Sequence, residues 1–296
     1  MSIPSHQLDA FLAVVRTGSF TRAAEGLHVT QPALSHRIRE LETRLATRVL
    51  IRRTTGVELT ETGRRLFRYC QTREGLEQEV LAEILPARGE SGFVTVAAFS
   101  SVARSCVLPA LAPAIRSRSG LRFRLRVAEV AELPELLDRG EADLVVTYEP
   151  FVRDGLEVAA LGSEVNVLVE STLENATRDV HLDHGPDDHF TEGFYDRTGG
   201  FVPPLKRSYL HDIYGVLDGA SAGLGRAVVP LHLLTPAHRL KRVPGSAALT
   251  SPVSLCAYRD VCRLGTRRLV WDALLKGVPA LLERNASGLT LLEAAS

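Results

Sequence analysis

The stretch that decides the fold of the N-terminal part is residues 19–42, which read SFTRAAEGLHVTQPALSHRIRELE. Thr30 is a good helix N-cap, and Pro32 falls in the first turn after it, where a missing N–H costs no hydrogen bond. Apolar residues then recur at helical spacing. This predicted stripe comprises Ala33, Leu34, Ile38, Leu41 and Leu45. Thr21 is the predicted N-cap of a shorter helix before it, so the stretch predicts two helices joined by a short turn.

The sequence on either side extends this pattern. A preceding helix is predicted to end near Thr17 and Gly18, because its apolar positions stop there. Those positions are Leu8, Phe11, Leu12 and Val15. After residue 45, Val49–Ile51 and Val57–Leu59 read as two short strands, and residues 52–56 between them form a basic tip. We therefore predict a small domain of three helices and a hairpin.

Charge is unevenly distributed along the chain. The 296 residues include 35 basic and 35 acidic side chains, yet residues 1–70 hold 11 arginines against 6 acids. This excess of five positive charges at one end indicates a module that meets phosphate.

A long helix is predicted to follow the hairpin, because residues 60–85 contain no proline and carry a narrow apolar stripe. The stripe comprises Leu66, Tyr69, Cys70, Leu76, Val80 and Ile84. Such a stripe suits a partner helix, and the alternative is packing against the chain's own C-terminal region. Residues 86–92, PARGESG, predict a hinge.

Strand and helix patterns alternate beyond residue 92, which predicts an α/β fold with a mostly parallel sheet. The predicted strands are Phe93–Phe99, Arg122–Ala128, Asp143–Thr147, Val165–Glu170, Val180–Asp183, Leu205–Leu210, Arg226–Val229 and Leu255–Tyr258. The predicted helices are Val102–Arg116, Leu133–Arg139, Ile213–Ala222 and Thr266–Leu275. Two lobes with a late return of the chain fit this order.

The N-terminal region closely resembles the LysR family of bacterial transcriptional regulators. The resemblance covers residues 5–68 without gaps, and it includes the 19–42 stretch and residues 52–63, RRTTGVELTETG. Looser similarity follows at Gly140–Val146 and Ala222–Pro230. Two features depart from the family pattern: His36 stands where Arg is frequent, and Leu50-Ile51 replaces an aromatic and an acid.

The resemblance implies a winged helix-turn-helix, a long linker helix and a two-lobed α/β effector domain like the type 2 periplasmic binding proteins. The expected DNA-binding domain is residues 1–60, and the linker helix and hinge are residues 61–90. The expected effector domain is residues 91–296, with lobe I at about 91–162 and 263–296 and lobe II at about 163–262. The expected partners are double-stranded DNA at a partly palindromic promoter site, a small-molecule effector, RNA polymerase and one or three further copies of the chain.

DNA-contacting residues are expected at the start of the recognition helix and in the wing, because the N-terminal half of such a helix enters the major groove. They are Thr30, Gln31, Pro32, Ser35, His36, Arg39, Arg52 and Arg53. Gln31 can read adenine through two hydrogen bonds. Arg52 and Arg53 would contact phosphate or the minor groove and position the domain. The alternative is a solvated helix face beside a basic loop.

Effector contacts are expected at strand ends and helix starts that face the interlobe cleft. Ser100 and Ser101 open a helix, where hydroxyl and free N–H groups can hold a carboxylate. The full expected set is Ser100, Ser101, Glu129, Val130, Thr147, His184 and His211. For each residue the alternative is a cap without ligand contact, and the sign of the effector's charge stays open.

Residues 181–189, HLDHGPDDH, concentrate three His and three Asp. They could bind a metal ion, although no spacing matches a known metal motif, and the simpler interpretation is a polar loop near the effector. Cys70, Cys106, Cys256 and Cys262 form no CxxC pair. They favour reduced cysteines over disulfides, with a redox sensor as the alternative.

Other functions have little support in the sequence. No GxSxG, HExxH or GxxxxGK[ST] motif occurs, so neither an enzyme nor a cofactor or metal is expected. No apolar run is long enough for a bilayer, and the N-terminus does not read as a signal peptide, which predicts no membrane partner and a cytoplasmic location. A ligand-independent architectural protein remains an alternative, although the long C-terminal region disfavours it.

Overall fold

The protein is described by a computed structural model. The described residues are 2–53, 56–84, 92–118, 120–148, 150–199, 206–263 and 265–283. The tip residues Thr54 and Thr55 and most of the predicted hinge, residues 86–91, lie outside them. Within the described residues, no helix combines the length and apolar character needed to cross a membrane.

The N-terminal region forms the predicted helices and hairpin. The elements are α1 (Ser5–Thr17), α2 (Phe20–Gly26), α3 (Gln31–Leu45), β1 (Leu50–Arg53), β2 (Gly56–Leu59) and α4 (Glu61–Ile84). Gly18 ends α1 at φ 63°, a left-handed conformation that glycine adopts without strain. β1 and β2 pair antiparallel, so Arg52 and Arg53 belong to a strand and not to the tip.

Side-chain caps set the starts of α2 and α3. The Thr30 hydroxyl accepts a hydrogen bond from the N–H of Ala33 at 3.3 Å, as predicted. The prediction for α2 was wrong: its N-cap is Ser19, whose hydroxyl accepts from the N–H of Arg22 at 3.4 Å. Ser19 has the extended backbone that a cap needs, whereas Thr21 already lies inside the helix.

Leu34, Ile38 and Leu41 hold α3 against the core of the small domain, and each is at most 3% exposed. They pack with buried side chains of α1, among them Phe11. Ala33 was predicted on this apolar face but is exposed. The three larger residues, spaced by four and three positions, fix the buried side and turn Ala33 outward.

The C-terminal region is α/β, as predicted. Its strands are β3 (Gly92–Ala98), β4 (Leu121–Val127), β5 (Leu144–Thr147), β6 (Leu156–Ser171), β7 (Val180–Asp183), β8 (Lys206–Tyr209), β9 (Ala227–Pro230), β10 (Leu240–Arg242) and β11 (Ala248–Tyr258). Its helices are α5 (Ser100–Val102), α6 (Leu108–Arg116), α7 (Leu133–Asp138), α8 (Phe190–Thr198), α9 (Ile213–Ser221), α10 (Arg259–Cys262) and α11 (Gly265–Glu283). A π-helical turn over residues 103–107 joins α5 to α6.

Several elements differ from the prediction in length. β6 is 16 residues long, whereas only Val165–Glu170 was predicted. Seven of the eight positions in its first half are half-buried or exposed, whereas the second half is mostly buried, and the prediction recovered only the buried part. α8 was not predicted. Pro279 does not end α11, which continues to Glu283, beyond the predicted end at Leu275.

The main sheet is mixed and has seven strands, in the order β10-β6-β11-β5-β3-β4, with β9 also paired to β6. β3 pairs in parallel with both β4 and β5. β6 and β11 pair antiparallel over most of their length, from Leu156 beside Tyr258 to Val167 beside Ala248. These two long strands run from one half of the domain into the other, while β7 and β8 form a separate parallel pair.

Two hydrophobic cores divide this region into lobes. We call lobe I the part that packs around β3, β5 and α11, and lobe II the part that packs around β9 and α9. Val253, Leu255 and Val261 belong to the core of lobe I. The chain therefore returns to lobe I earlier than the predicted residue 263, because the second half of β11 pairs with β5.

The first half of α4 packs against lobe I of its own chain. A Cβ on Gly140 would lie 2.0 Å from Cε1 of Phe67, so the two elements touch where glycine has no side chain. Gln71 donates to Asp143 at 2.8 Å, and Arg267 donates to the same oxygen at 2.8 Å. The alternative of packing against the chain's own C-terminal region therefore holds for this half of the helix.

Candidate DNA interface and effector cleft

The start of α3 presents polar side chains to solvent. Gln31, Pro32, His36 and Arg39 are exposed, and Ser35 is half-buried. Exposed and buried residues of α3 alternate at helical spacing. Leu34 and Ile38, on the opposite side of the helix, are buried in the core. The surface that results is the one that a recognition helix offers to a major groove.

The wing is tied to this face through Arg52. Its guanidinium donates to the Ser35 hydroxyl at 3.4 Å and lies 4.0 Å from the ring centre of Phe20. Arg53 contacts Glu58 across the hairpin at 3.2 Å. The cation–π contact holds the Arg52 side chain in place while leaving the residue exposed, so the wing is joined to the start of α3 through Ser35.

The two departures from the family pattern have structural consequences of different kinds. Nε2 of His36 lies 3.3 Å from Glu40, one turn along the exposed face of α3. Leu50 is 6% exposed and joins the core, whereas Ile51 is 37% exposed. The substitution at His36 therefore alters the presented surface, and Leu50 alters packing.

A cavity of about 370 Å³ lies between the lobes. Residues of lobe I and lobe II both line it, together with Asn166 of β6. The lining residues are Phe99, Ser100, Ser101, Val127, Ala128, Glu129, Val130, Tyr148, Asn166, Leu182, Asp183, His184, Asp188, Phe190, Thr191, His211, Asp212, Ile213, Val216, Val228 and Pro230. Its size suits a small metabolite.

The structure brings together six of the seven residues predicted for effector contact. Ser100, Ser101, Glu129, Val130, His184 and His211 line the cavity. Thr147 does not: it is 1% exposed and pairs with Ser254 inside the sheet. The next residue, Tyr148, lines the cavity instead, because β5 ends at Thr147 and the chain emerges from the sheet one residue later.

One end of the cavity offers free backbone donors. Helical backbone runs from Ser100 to Arg116, and its first hydrogen bond joins the N–H of Ala103 to the oxygen of Phe99 at 3.0 Å. The N–H groups of residues 100–102 therefore precede the helical pattern, and Phe99 has no side chain that could cap them. Such a helix start attracts an anionic group.

A buried polar cluster forms the wall behind these residues. Glu164 is 1% exposed, and its Oε1 accepts from the Ser101 hydroxyl at 2.7 Å and pairs with His232. Its Oε2 accepts from the Tyr148 hydroxyl and from Nδ2 of Asn166. Burial and the adjacent carboxylate raise the pKa of Tyr148, so its hydroxyl remains a donor.

This cluster connects the lobes. Ser101 and Tyr148 belong to lobe I, and His232 follows β9 of lobe II. Glu164 lies between them on β6, one of the strands that run between the lobes. Asn166 uses its Nδ2 on Glu164, which leaves its Oδ1 buried without a hydrogen-bond partner among the described residues.

His184 and Asp188 form an ion pair on the lobe II side of the cavity. Nδ1 of His184 lies 3.0 Å from Asp188. The hydrogen bond to Asp188 raises the pKa of His184, and the charge of Glu129 across the cleft adds to this effect. Asp188 also accepts from the N–H of Phe190 at 2.8 Å, and these hydrogen bonds, with His184, lower its pKa to about 2 despite its burial.

Three other members of the His- and Asp-rich segment have separate partners. Nε2 of His181 lies 3.1 Å from the Tyr195 hydroxyl, and burial lowers the pKa of His181. Asp183 accepts from Arg207 at 2.6 Å, and His189 pairs with Glu192. Across the ranges that the structure covers, no group of three His, Cys, Asp or Glu side chains is placed to hold a metal ion.

All four cysteines are buried and unpaired. Burial raises the pKa of Cys70 to about 12 and those of Cys106, Cys256 and Cys262 to about 11. Because the thiolate is the reactive form, these environments do not favour the redox-sensor alternative.

Glu164, Asn166 and His232 were not predicted. Glu164 and Asn166 are separated by two positions in a strand and so point to one face, and both are buried. Two polar residues on one face of a strand can be recognised in a sequence as candidate site residues. The predicted strand began at Val165, however, and left Glu164 outside it. Nothing in the sequence near His232 indicates its partner.

Two family models match the chain. The model described as bacterial regulatory helix-turn-helix protein, lysR family, matches residues 5–64. The model described as LysR substrate binding domain matches residues 87–278. Together they cover both the N-terminal domain and the two lobes.

Curated relatives are regulators as well. The HTH-type transcriptional regulator HdfR of Salmonella schwarzengrund is 32% identical over 262 residues, which cover 83% of this chain and 89% of the relative. HdfR of Yersinia enterocolitica is 34% identical over 155 residues, 52% of this chain and 53% of the relative, so that match spans about half of the Yersinia protein.

Solved structures share the fold. ArgP from Mycobacterium tuberculosis has a TM-score of 0.74 at 24% identity and covers 93% of this chain and 96% of its own. Full-length LysG from Corynebacterium glutamicum, with bound effector Arg, has a TM-score of 0.69 at 23% identity over 94% and 97% of the two chains. The chain belongs to the LysR family of transcriptional regulators, which bind DNA and small-molecule effectors and form oligomers.

Proposed function

We propose that α3 enters the major groove of a promoter and that its first two turns read the base pairs. The observation that carries this proposal is the exposed polar face of α3, to which Arg52 of the wing is joined through Ser35. Gln31 and Ser35 would contact base edges, and Arg39 would contact a base or a phosphate. The proposed interface comprises Thr30, Gln31, Pro32, Ser35, His36, Arg39, Arg52 and Arg53.

The wing positions the domain in this proposal. Arg52 and Arg53 carry charge next to the recognition helix, and phosphate contacts of this kind fix register without reading sequence. His36 would make a weaker contact than an arginine, because Glu40 competes for it at 3.3 Å. We expect the protein to act in the cytoplasm, where the promoter DNA of a bacterium lies.

The effector binds in the cleft of about 370 Å³. In this proposal Ser100, Ser101, Glu129, Val130, His184 and His211 contact it, and Tyr148 takes the role first expected of Thr147. Because Glu164 joins groups of both lobes, a ligand that draws Ser101 or Asn166 into new hydrogen bonds would alter the link between the lobes. Movement of lobe I would then reach α4, since Gln71 donates to Asp143.

A second copy of the chain covers the end of α4 in this proposal. Leu76, Val80, Leu81 and Ile84 are each at least 50% exposed in a single chain. A dimer would bury this stripe and place two recognition helices on a partly palindromic site. A tetramer would pair two such dimers, and RNA polymerase is the partner through which a changed arrangement would alter transcription.

The proposed domain boundaries follow this division of tasks. The DNA-binding domain comprises residues 1–60, and residues 61–90 form the linker helix and hinge. The effector domain comprises residues 91–296. Within it we adjust the proposed return to lobe I to residue 253, because the core contacts of Val253 and Leu255 support it.

Fluorescence anisotropy on the DNA upstream of the chain's own gene, compared with unrelated DNA at two salt concentrations, tests this function. We expect preferential binding that falls by about tenfold or more in Gln31→Ala and in Ser35→Ala. Thr43→Ala is the control, because Thr43 is exposed on the distal half of the same helix. Equal, weak and strongly salt-dependent binding to both DNAs would contradict sequence-specific regulation by this surface.

A ligand-independent architectural protein is the second candidate from the sequence, but no specific observation favours it. Such a protein needs no cavity between lobes, and the cavity here is lined by polar groups from both. We do not propose an enzyme, and the relatives are transcriptional regulators.

A further inference from the structure

The charge balance of the interlobe cavity is one-sided. Four carboxylates line it, and among its described lining residues there is no Lys or Arg. The four are Glu129, Asp183, Asp188 and Asp212. The cavity wall therefore tends to attract positive charge, although the helix start at Ser100 attracts an anion.

Three of these carboxylates already have ion-pair or hydrogen-bond partners within the protein. Asp183 is bonded to Arg207 at 2.6 Å, and Asp188 is paired with His184 at 3.0 Å. Asp212 caps α9, where its Oδ1 accepts two backbone N–H groups at 2.8 Å each. None of these three groups needs a ligand to satisfy its charge.

Glu129 is different. It is exposed, and no hydrogen bond or ion pair of its carboxylate is found in the described part of the chain. Glu132 accepts a hydrogen bond from the backbone N–H of Glu129 at 3.1 Å, which fixes the turn that carries the side chain. A carboxylate at the edge of a ligand cavity with no ion pair of its own is a recognition group for a cation.

A second, independent observation comes from Asn166. This residue is 1% exposed and lines the cavity, and its Nδ2 is used on Glu164. Its Oδ1 is therefore a buried acceptor without a partner among the residues described. Since a buried acceptor left unpaired is costly, it calls for a donor from a bound molecule.

Aromatic side chains complete the wall. Phe99 and Tyr148 are stacked with ring centres 4.0 Å apart, and Phe190 also lines the cavity. Aromatic faces attract cations more than they attract anions. The N–H groups at Ser100, which no side chain caps, supply the opposite preference.

We propose that the effector is a small zwitterion, with a carboxylate bound at the helix start at Ser100 and a protonated amine bound by Glu129, while Oδ1 of Asn166 accepts a further hydrogen bond from the ligand. Glu129 is then the residue that determines the sign of charge accepted at that end of the ligand. This inference rests on the proposed effector cleft and names the chemical class of its ligand.

Four probes with one five-carbon chain test this class: pentanoate, 2-aminopentanoate, 5-aminopentanoate and glutarate. They differ in whether a second charged group is absent, cationic or anionic, and the two amines differ in the position of that group. Calorimetric titration of the full chain is expected to give at least one aminopentanoate a dissociation constant about tenfold or more below those of pentanoate and glutarate. In Glu129→Gln the preference for that amine over pentanoate is expected to fall by about tenfold.

Asp187→Asn is the matched control. It removes one negative charge from the exposed loop of lobe II, but Asp187 does not line the cavity, so the amine preference should persist. Glutarate or pentanoate binding as tightly as both amines would overturn the inference, as would a preference unchanged in Glu129→Gln. Absence of binding by every probe would also overturn it.

Promoter binding by the ligand-free protein distinguishes these failures from failure of the proposed function. If the anisotropy experiment gives sequence-specific binding while the amines fail, only the ligand class is wrong. If specific DNA binding is absent, the regulatory proposal itself fails, whatever the titrations give.

Discussion

The two halves of α4 share one amphipathic pattern but have different surroundings. In the first half Leu66, Phe67 and Cys70 are at most 7% exposed, because lobe I and the N-terminal domain cover them. In the second half Val80 and Ile84 are 51% and 67% exposed. One helix therefore has a first half buried within its own chain and a second half left open.

This difference shows what an apolar stripe can and cannot predict. The spacing from Leu66 to Ile84 predicts a helix with one apolar side, and it fits both a partner helix and packing within the chain. The polar residues distinguish packing against a partner helix from packing within the chain. Gln71 and Glu74 face Asp143 and Arg267 of lobe I, which marks the first half as internal.

The largest expected effect concerns the open half. Changing Val80 and Ile84 together to Asp places four charges in the proposed symmetric dimer interface, which would otherwise bury apolar surface. We expect association to weaken by about 3–6 kcal/mol, since each half-exposed side chain forfeits roughly one kcal/mol of burial or more. Analytical ultracentrifugation would detect the shift from dimer to monomer.

The control for this variant is Val152→Asp with Leu224→Asp, two exposed apolar residues outside the helix. A dimer that survives in the α4 variant as it does in the control would show that the open half of α4 is not the interface. The difference in exposure between the two halves of α4 would then not mark a dimer interface.

The next effect concerns the buried half. Asp143→Ala removes the acceptor of Gln71, Arg267 and the N–H of Thr95. Arg267 is 4% exposed and would remain charged beside Glu74 alone at 3.7 Å. Breaking a buried ion pair costs about 3–5 kcal/mol in the free energy of unfolding.

Urea unfolding measures this loss, because the single tryptophan, Trp271, is buried in the core of lobe I and reports on it. Asp272→Ala is the control: its pair with Arg268 is exposed, and such pairs contribute at most about 1 kcal/mol. A similar small effect for both variants would mean that α4 is not fixed to lobe I by this network.

A smaller effect is expected at the point where Phe67 meets lobe I. Gly140 has φ 69°, and an added Cβ would lie 2.0 Å from the Phe67 ring. Gly140→Ala should destabilise lobe I by about 2–3 kcal/mol through backbone strain and displacement of the ring.

Gly155→Ala separates the contribution of backbone strain from that of the contact with the Phe67 ring. Gly155 has φ 75° and no atom within 4 Å of an added Cβ, so only the backbone strain of about 1–2 kcal/mol applies. The same tryptophan signal serves for both variants. Equal losses would indicate that contact between α4 and lobe I contributes nothing at Gly140.

The sequence predicts the DNA-binding domain better than the cleft, and the reason is the range of the interactions. Thr30 caps a helix three residues ahead, so the signal and its partner lie in one short stretch. Glu164 depends on Ser101, 63 residues away, and His232, 68 residues away. No local pattern encodes such pairs.

The cleft was still predictable where local rules apply. Strand ends and helix starts identify Ser100, Glu129 and His211, because the turns there are set by nearby residues. The error of one residue at Thr147 shows the limit, since a strand end predicted one position off exchanges a side chain inside the sheet for one that lines the cavity.

The smallest expected effect lies at the boundary between the two halves of α4. Arg73 donates to Glu77 at 2.8 Å one turn along the helix, and Asp9 of α1 lies 3.6 Å away. Glu77 is 55% exposed, so Glu77→Gln should cost only about 0.3–0.5 kcal/mol, as for other exposed helical pairs. The change should shrink further in high salt because the pair is screened. Urea unfolding at two salt concentrations measures both quantities. A loss well above 1 kcal/mol that persists in salt would mean that Glu77 is buried in the assembled protein, and the surface of α4 covered by a partner would then extend beyond the apolar stripe to Glu77.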